Sequence, residues 1–309
     1  MKKKICILIP VCNEEKNIPT IISAVDNAID PTLYAHSFIF IDDGSSDNTN
    51  AVLKSISSEQ KHVFFISLSK NFGHQNALKA GIDSIHQDAD CVIMMDGDLQ
   101  HPPELIPQML KKWDEEYDIV YTIRKDADNI PFLKKKTASL FYNMLNRLSD
   151  VQVETGAADF RLIDKKTFPV FRSFNERDLF LRGLSKWIGF RQIAIEYIPG
   201  DRNHGQSKYT YKKMVRFALQ GITSFSTKPL YTAAYLGLFF SLTSLLYLPY
   251  SIYSYYFGKP ISGWTSLIVT ISFFGGLQLM ILGIIGLYLG KLFMQSKNRP
   301  NYIIRESNL

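Results

Sequence analysis

Four short apolar runs mark the first part of the chain: Ile5–Ile9, Phe38–Ile41, Val63–Leu68 and Cys91–Met95. Each is too short for a helix and is bounded by polar or turn residues, which predicts buried strands. Between them, Glu15–Asp26, Asp47–Ser57, Gly73–Ile85 and Pro103–Asp114 have helical length and amphipathic spacing. Strands that alternate with helices predict right-handed βαβ units and a mostly parallel α/β sheet. Beyond residue 228 the pattern changes. No acidic or basic residue occurs from Pro229 to Gly258, nor from Pro260 to Gly290. Each stretch exceeds the ~20 residues with which a helix crosses a bilayer core. The pattern therefore divides the chain into an α/β domain over 1–228, two transmembrane helices within 229–290 (about 230–256 and 264–290) and a tail over 291–309.

In a parallel sheet, ligands bind where loops leave the carboxyl ends of the strands. Those are the places where this sequence turns polar. Pro10, Asn13, Glu14 and Glu15 follow the first run; Asp42, Asp43, Gly44, Ser45, Ser46 and Asp47 follow the second; Asp96, Gly97, Asp98, Leu99, Gln100 and His101 follow the fourth. Each loop alone is explained by turn and cap preferences. Three such loops at one sheet edge predict a binding cleft.

Charge sharpens the division. The net charge is +6, yet residues 1–228 hold 30 Lys+Arg against 28 Asp+Glu, while the remainder has five basic residues and Glu306 alone. Positive charge beside apolar spans suits anionic lipid headgroups better than nucleic acid. Two further segments, about 130–148 and 207–228, combine basic and apolar or aromatic residues as helices lying on a membrane surface do; two solvated surface helices would read the same way. The loop between the spans carries only Lys259, whereas both outer flanks carry several basic residues, so the α/β domain and the tail are expected on the cytoplasmic side of a multi-pass plasma-membrane protein. Gly275, Gly276, Gly283, Gly286 and Gly290 give the second span a small-residue face for helix packing, within the hairpin or between subunits. The three cysteines show neither metal nor disulfide spacing; the two in apolar runs, Cys6 and Cys91, are expected to be buried free thiols. Lys2–Lys4 precede too short an apolar run for a secretory signal.

Two carboxylates flank a glycine in Asp96-Gly97-Asp98, so both can turn toward one point at the end of a strand. Hard oxygen ligands of this kind suit Mg2+ or Mn2+, and Gln100 could add another. Asp42 and Asp43 precede a turn where a carboxylate can accept hydrogen bonds from ribose hydroxyls or a base; Ser46 or Asp47 also reads as a helix cap.

With these residues in place, the segments Ile9–Glu15 (IPVCNEE), Ile41–Asp47 (IDDGSSD), Asn71-Phe72-Gly73 and Met95–Pro102 (MDGDLQHP) resemble glycosyltransferase family 2, closest to its polyprenyl-phosphate branch of dolichol-phosphate mannose synthases and bactoprenol glucosyltransferases. The resemblance spans essentially the whole chain. It implies a GT-A fold, a UDP-sugar donor with UDP-glucose foremost and UDP-N-acetylglucosamine or a modified arabinose next, a polyprenyl phosphate acceptor and a homo-oligomer. Pro10, Asn13, Glu14, Asp42, Asp43, Asn71, Gly73 and Asp96 would then hold the donor, with Asp96, Asp98 and Gln100 holding Mg2+ or Mn2+ on its diphosphate. Asp159 matches the acidic residue beside sugar and acceptor, chiefly as a positioner with base catalysis open; Arg124, Lys135, Ser139, Arg202, Ser207 and Lys208 match phosphate-contacting or site-closing positions. The segment Arg182–Trp187 lacks the Gln-x-x-Arg-Trp motif of processive synthases, so a single transfer is expected. A non-catalytic membrane scaffold or nucleotide-sugar sensor would be expected to lose a carboxylate, and Asp96, Asp98 and Asp159 are all present.

Overall fold

The computed structural model describes residues 2–125, 154, 156–198, 226–257 and 263–309. Strands β1 (Lys3–Val11), β2 (Tyr34–Asp42), β3 (Val63–Leu68) and β4 (Cys91–Met94) alternate with helices α1 (Ile18–Ala28), α2 (Thr49–Glu59) and α3 (His74–Asp83). All four predicted strands are present. β1 and β2 extend beyond their apolar runs because only part of each is buried; β2 starts at half-exposed Tyr34, paired with Lys3, and becomes fully buried at Phe38. The expected helix from Glu15 starts instead at Ile18, because Asn13 and Glu14 are held in the preceding loop. α4 (Ile106–Asp114) follows a single 3-10 turn over Pro103–Leu105.

The sheet continues with β5 (Ile119–Arg124), β6 (Ala157–Asp164), β7 (Gln192–Tyr197) and β8 (Ile304–Ser307), in the spatial order β7-β5-β6-β4-β1-β2-β3-β8. β3, β2, β1 and β4 run parallel, whereas β6 lies antiparallel between β4 and β5. Short helices α5 (Phe168–Ser173) and α6 (Leu181–Trp187) follow β6. Ile7, Leu8, Phe38, Phe40, Ile93 and Phe160 are fully buried. Cys6 and Cys91 lie in this core as free thiols, and burial pushes Cys6 up to about 12, leaving it unreactive.

The tail departs from expectation. Rather than trailing free, its Ile304–Ser307 segment pairs antiparallel with β3 and covers that edge. Arg305 donates to Ser67 Oγ at 2.9 Å and Tyr302 OH donates to Asp83 at 2.8 Å. Sequence pattern missed this strand because four residues carrying Arg and Glu show no apolar alternation; pairing with a ready-made edge supplies what local propensity lacks.

Among the described residues, 2–198 and 300–309 form one compact unit and 226–299 another. The second unit consists of α7 (Lys228–Phe257, 30 residues) and α8 (Trp264–Ser296, 33 residues). Phe240 meets Phe273 and Phe274 edge-on at 5.6 and 5.8 Å, and Tyr288 OH donates to the Ser226 carbonyl at 2.7 Å. Large apolar side chains such as Leu238, Phe239, Leu279, Leu287 and Leu292 are exposed on these helices. Among the described residues one segment, Phe273–Ser296, is long and apolar enough to cross a membrane, with mean hydropathy 1.8.

Removing residues 301–309 uncovers the β3 edge, and the truncated protein is expected to melt lower and aggregate sooner than the full chain. Tyr302→Phe, which deletes a single hydrogen bond, should cost about 1 kcal/mol. Thermal unfolding followed by light scattering checks both.

Candidate active site

Strand order reverses between β1 and β4. The chain moves outward from β1 through β2 to β3, then returns to place β4 on the other side of β1. Loops leaving the carboxyl ends on either side of such a point diverge and leave a crevice. A cavity of about 360 Å³ lies there, lined by Pro10, Val11, Cys12, Glu14, Asp43, Asn71, Gly73, His74, Asp96, Gly97 and Asp98. Seven of the sequence-predicted site residues thus line one space: Pro10, Glu14, Asp43, Asn71, Gly73, Asp96 and Asp98.

Local backbone brings them there. Gly44 has φ +67°, and a Cβ on it would collide with the backbone of Lys70 and Asn71, so only glycine lets the loops after β2 and β3 meet. Asn13 takes the left-handed region at φ 59° and accepts hydrogen bonds from Ser46 and Asp47 N–H at 2.8 and 3.3 Å. Its carboxamide oxygen therefore organises the neighbouring loop. Leu99, also at φ 59°, lacks that polar compensation; it marks the turn after Asp98 as strained.

The two consecutive aspartates divide their work. Asp42 is fully buried; its oxygens accept from Ser45 N–H at 2.9 Å and Ser67 Oγ at 3.1 Å. It ties β2 to its loop and β3 and is not among the residues that line the cavity. Alternation along the strand is the reason: one of two successive residues must face inward. Asp43 faces the cavity and accepts from Phe72 and Gly73 N–H at 2.7 and 2.9 Å. Burial raises its pKa, partly opposed by those two hydrogen bonds.

Asp96 and Asp98 both line the cavity, as their spacing predicts. Asp98 Oδ1 accepts from Gln100 N–H at 3.1 Å, while the Gln100 side chain is outside the lining. Asp96 Oδ1 is buried without a hydrogen-bond partner, His74 Nε2 standing 3.5 Å from it. A buried carboxylate oxygen left unsatisfied is costly, and a cation in the cavity would relieve it. The donor set, two carboxylates open to a polar crevice, fits Mg2+ or Mn2+. His101 stands behind Asp96: its Nδ1 accepts from the Asp96 N–H at 2.9 Å, and its ring stacks on Phe160 at 5.1 Å.

Asp159, in β6, is almost wholly buried. Arg182 of α6 grips it through two hydrogen bonds of 2.8 and 2.7 Å, Gln75 donates at 3.3 Å, and His74 Nε2 lies 3.4 Å away. Burial alone would raise the Asp159 pKa, but the Arg182 charge and the His74 hydrogen bond outweigh it and hold the carboxyl well below its usual range. A carboxylate so depressed is a poor proton acceptor. His74 in turn stands 3.5 Å from Asp96 and bridges the two carboxylates. Burial lowers its pKa, yet Asp159 and Asp96 together raise it to about 9; the ring is 40% exposed, so solvent screening softens that shift. Arg182, His74, Gln75 and His101 were not singled out as site residues. His74 adjoins a quoted motif, but for Arg182 the only signal was that a buried Asp159 demands a cation. Arg124 lies exposed at the end of β5, and Lys135, Ser139, Arg202, Ser207 and Lys208 fall outside the described residues, as do all of 130–148 and 207–225.

The family description glycosyl transferase family 2 matches residues 6–169, the segment that contributes every cavity-lining residue and Asp159. The chain belongs to glycosyl transferase family 2 and is a glycosyltransferase. Its similarity to relatives runs beyond that segment. It is 39% identical over 306 residues to the SfII prophage-derived bactoprenol glucosyl transferase of Shigella flexneri, covering 99% of this chain and 98% of the relative. The prophage bactoprenol glucosyl transferase homolog of Escherichia coli K12 is 36% identical, covering 98% of each chain. The uncharacterized glycosyltransferase YkcC of Bacillus subtilis is 39% identical, covering 97% of this chain and 93% of its own.

Arg182→Gln removes the two shortest hydrogen bonds to a buried carboxylate that keeps His74 at 3.4 Å and Arg161 at 3.8 Å, and should cost about 1.5–3 kcal/mol of stability, read by denaturant unfolding. The depressed Asp159 pKa contributes stability that is present above the ordinary carboxylate pKa and is lost as pH falls toward the folded value, so the gap between wild type and Arg182→Gln should narrow in acid. Asp159→Asn, by loosening the geometry around His74, should lower turnover about 10²-fold while donor affinity changes little; steady-state kinetics with donor binding measured separately checks it.

Proposed function

We propose that this glycosyltransferase makes a single, inverting transfer from a UDP-sugar, UDP-glucose foremost, to undecaprenyl or a related polyprenyl phosphate at the cytoplasmic membrane face. The observation that carries the reading is the pair of carboxylates, Asp96 and Asp98, lining a polar crevice at the strand-order reversal, with Asp96 Oδ1 lacking a hydrogen-bond partner. That arrangement supports a nucleoside diphosphate whose charge is met by a cation. The likeness to bactoprenol glucosyl transferases along the full chain, helical segments included, supports the lipid phosphate acceptor and glucose.

A divalent cation held by Asp96 and Asp98, with Gln100 adjoining, would neutralise charge on the departing diphosphate. The chain's own residues would do the rest. Pro10, Asn13, Glu14, Asp43, Asn71 and Gly73 shape the nucleoside end of the crevice, rigid before the donor arrives because Asn13 and Asp43 are hydrogen-bonded into their loops. The pair Asp159–Arg182, with His74, holds a fixed charge pattern beside the reacting end. Arg124, Lys135, Ser139, Arg202, Ser207 and Lys208 would meet the phosphates. A monoester phosphate is already mostly ionised at neutral pH, with a second pKa of about 6, so its oxygen can attack the anomeric carbon without a strong base. The depressed Asp159 agrees with that: it positions and does not take a proton.

The path of the chain supports two crossings rather than one. Residues 300–309 rejoin the sheet unit after α8, so both ends of the helical segment return to one domain. A folded domain lies on one side of a membrane, which requires an even number of crossings if α8 crosses. The uncharged length from Pro229 to Gly258 suits α7 for the second.

Purified full-length protein in detergent, given undecaprenyl phosphate, Mg2+ or Mn2+ and a panel of UDP-sugars, is expected to yield a lipid one hexose heavier by mass spectrometry, with EDTA abolishing the product. Asp96→Asn and Asp98→Asn should each lose at least about 10²-fold in turnover. A product heavier by an N-acetylhexosamine or a modified pentose would keep the reaction and change the donor; no glycolipid with any donor would overturn the acceptor.

A further inference from the structure

At the opposite ends of the same strands, three side chains from separate elements converge. Asp26 lies in the last turns of α1, His36 near the start of β2, and His62 immediately before β3. His36 Nε2 stands 2.7 Å from Asp26 Oδ1, and His62 Nε2 stands 3.9 Å from the same oxygen. One donor atom from each residue lies within 4.8 Å of the other two. The cluster is about 20 Å from the crevice end of the strand, since His36 and Asp42 are six positions apart along β2. It takes no part in the chemistry described above.

We propose that Asp26, His36 and His62 form a second divalent-cation site, selective for a zinc-like ion, that ties α1 to the beginnings of β2 and β3. A hydrogen bond between His36 and Asp26 accounts for one ring but not for His62 presenting Nε2 to the same oxygen. Ligands about 2.0–2.1 Å from a tetrahedral Zn2+ stand roughly 3.3 Å apart, and the two observed separations fall on either side of that value, so a small shift of the rings admits the ion. Two imidazoles and one carboxylate favour borderline ions such as Zn2+ over Mg2+, whereas the crevice carboxylates favour the reverse.

The scaffold is already rigid. Both rings pack on the fully buried Phe38, at 5.5 and 5.7 Å between centroids, and the His62 carbonyl accepts from Phe38 N–H at 2.8 Å. His36 is only 14% exposed, while Asp26 and His62 are each 40% exposed, which gives an ion an entry path and leaves a fourth position to water.

The test uses the full-length protein in detergent, stripped with EDTA, dialysed, and held in millimolar Mg2+ so that the crevice carboxylates are occupied. Zn2+ is titrated calorimetrically, and Co2+ is followed by its ligand-field absorption. The wild type is expected to bind one Zn2+ per chain, to show the absorption of a nitrogen-ligated Co2+, and to melt at a higher temperature with Zn2+ present. His62→Ala and Asp26→Asn, both at partly exposed positions, should each weaken Zn2+ by more than the roughly 10- to 100-fold that loss of an outer-shell partner alone causes, and abolish the thermal shift, with glycosyl transfer in Mg2+ unchanged. Equal Zn2+ affinity in wild type and both variants, or no Zn2+ bound above the Mg2+ background, would overturn the proposal.

Discussion

The reversal of strand order between β1 and β4 is the constraint on which the rest of the site depends. Elsewhere in the parallel region, neighbouring loops lean the same way over the strand ends and close the space between them. At this point they part, and the ends of β1, β2, β3 and β4 can all present side chains to one crevice. The polar residues after β1, β2 and β4 would otherwise be separate turns. Gly44 then sets how closely the β2 and β3 loops approach, and Asn13 pins the β1 loop to the β2 loop.

A crevice with Glu14, Asp43, Asp96 and Asp98 on its walls concentrates negative charge, and its balance comes from behind. His74 links Asp96 to Asp159, and Arg182 holds Asp159 through two parallel hydrogen bonds. The Asp159 carboxylate and the Arg182 guanidinium compensate one another, while Asp96 Oδ1, 3.5 Å from His74 Nε2, has no hydrogen-bond partner. A carboxylate without a hydrogen bond on one oxygen thus lines the cavity, whereas Asp159 is held buried by an Arg182 side chain that is 29% exposed.

The tail connects the two units of the chain. A short strand rich in polar residues has little reason to form alone, but β3 offers an open edge, and Tyr302 and Arg305 lock the pairing.

Hydrophobic pattern by itself determined the four parallel strands, the helices between them, the two long uncharged helices and the edge on which the carboxylates gather, because burial on a sheet and long apolar helices are written as local periodicity and length. It also carried the motifs that mark the family. Tertiary structure alone decided which aspartate of the Asp42–Asp43 pair faces the cavity, since a one-residue alternation cannot be phased from a loop. It alone brought Arg182 to Asp159, Tyr302 to Asp83, and His36 and His62 to Asp26, across separations of 23, 219, 10 and 36 residues. Those partners come from elements whose own patterns report only their burial. Packing chooses between them, and no local signal in the sequence records that choice.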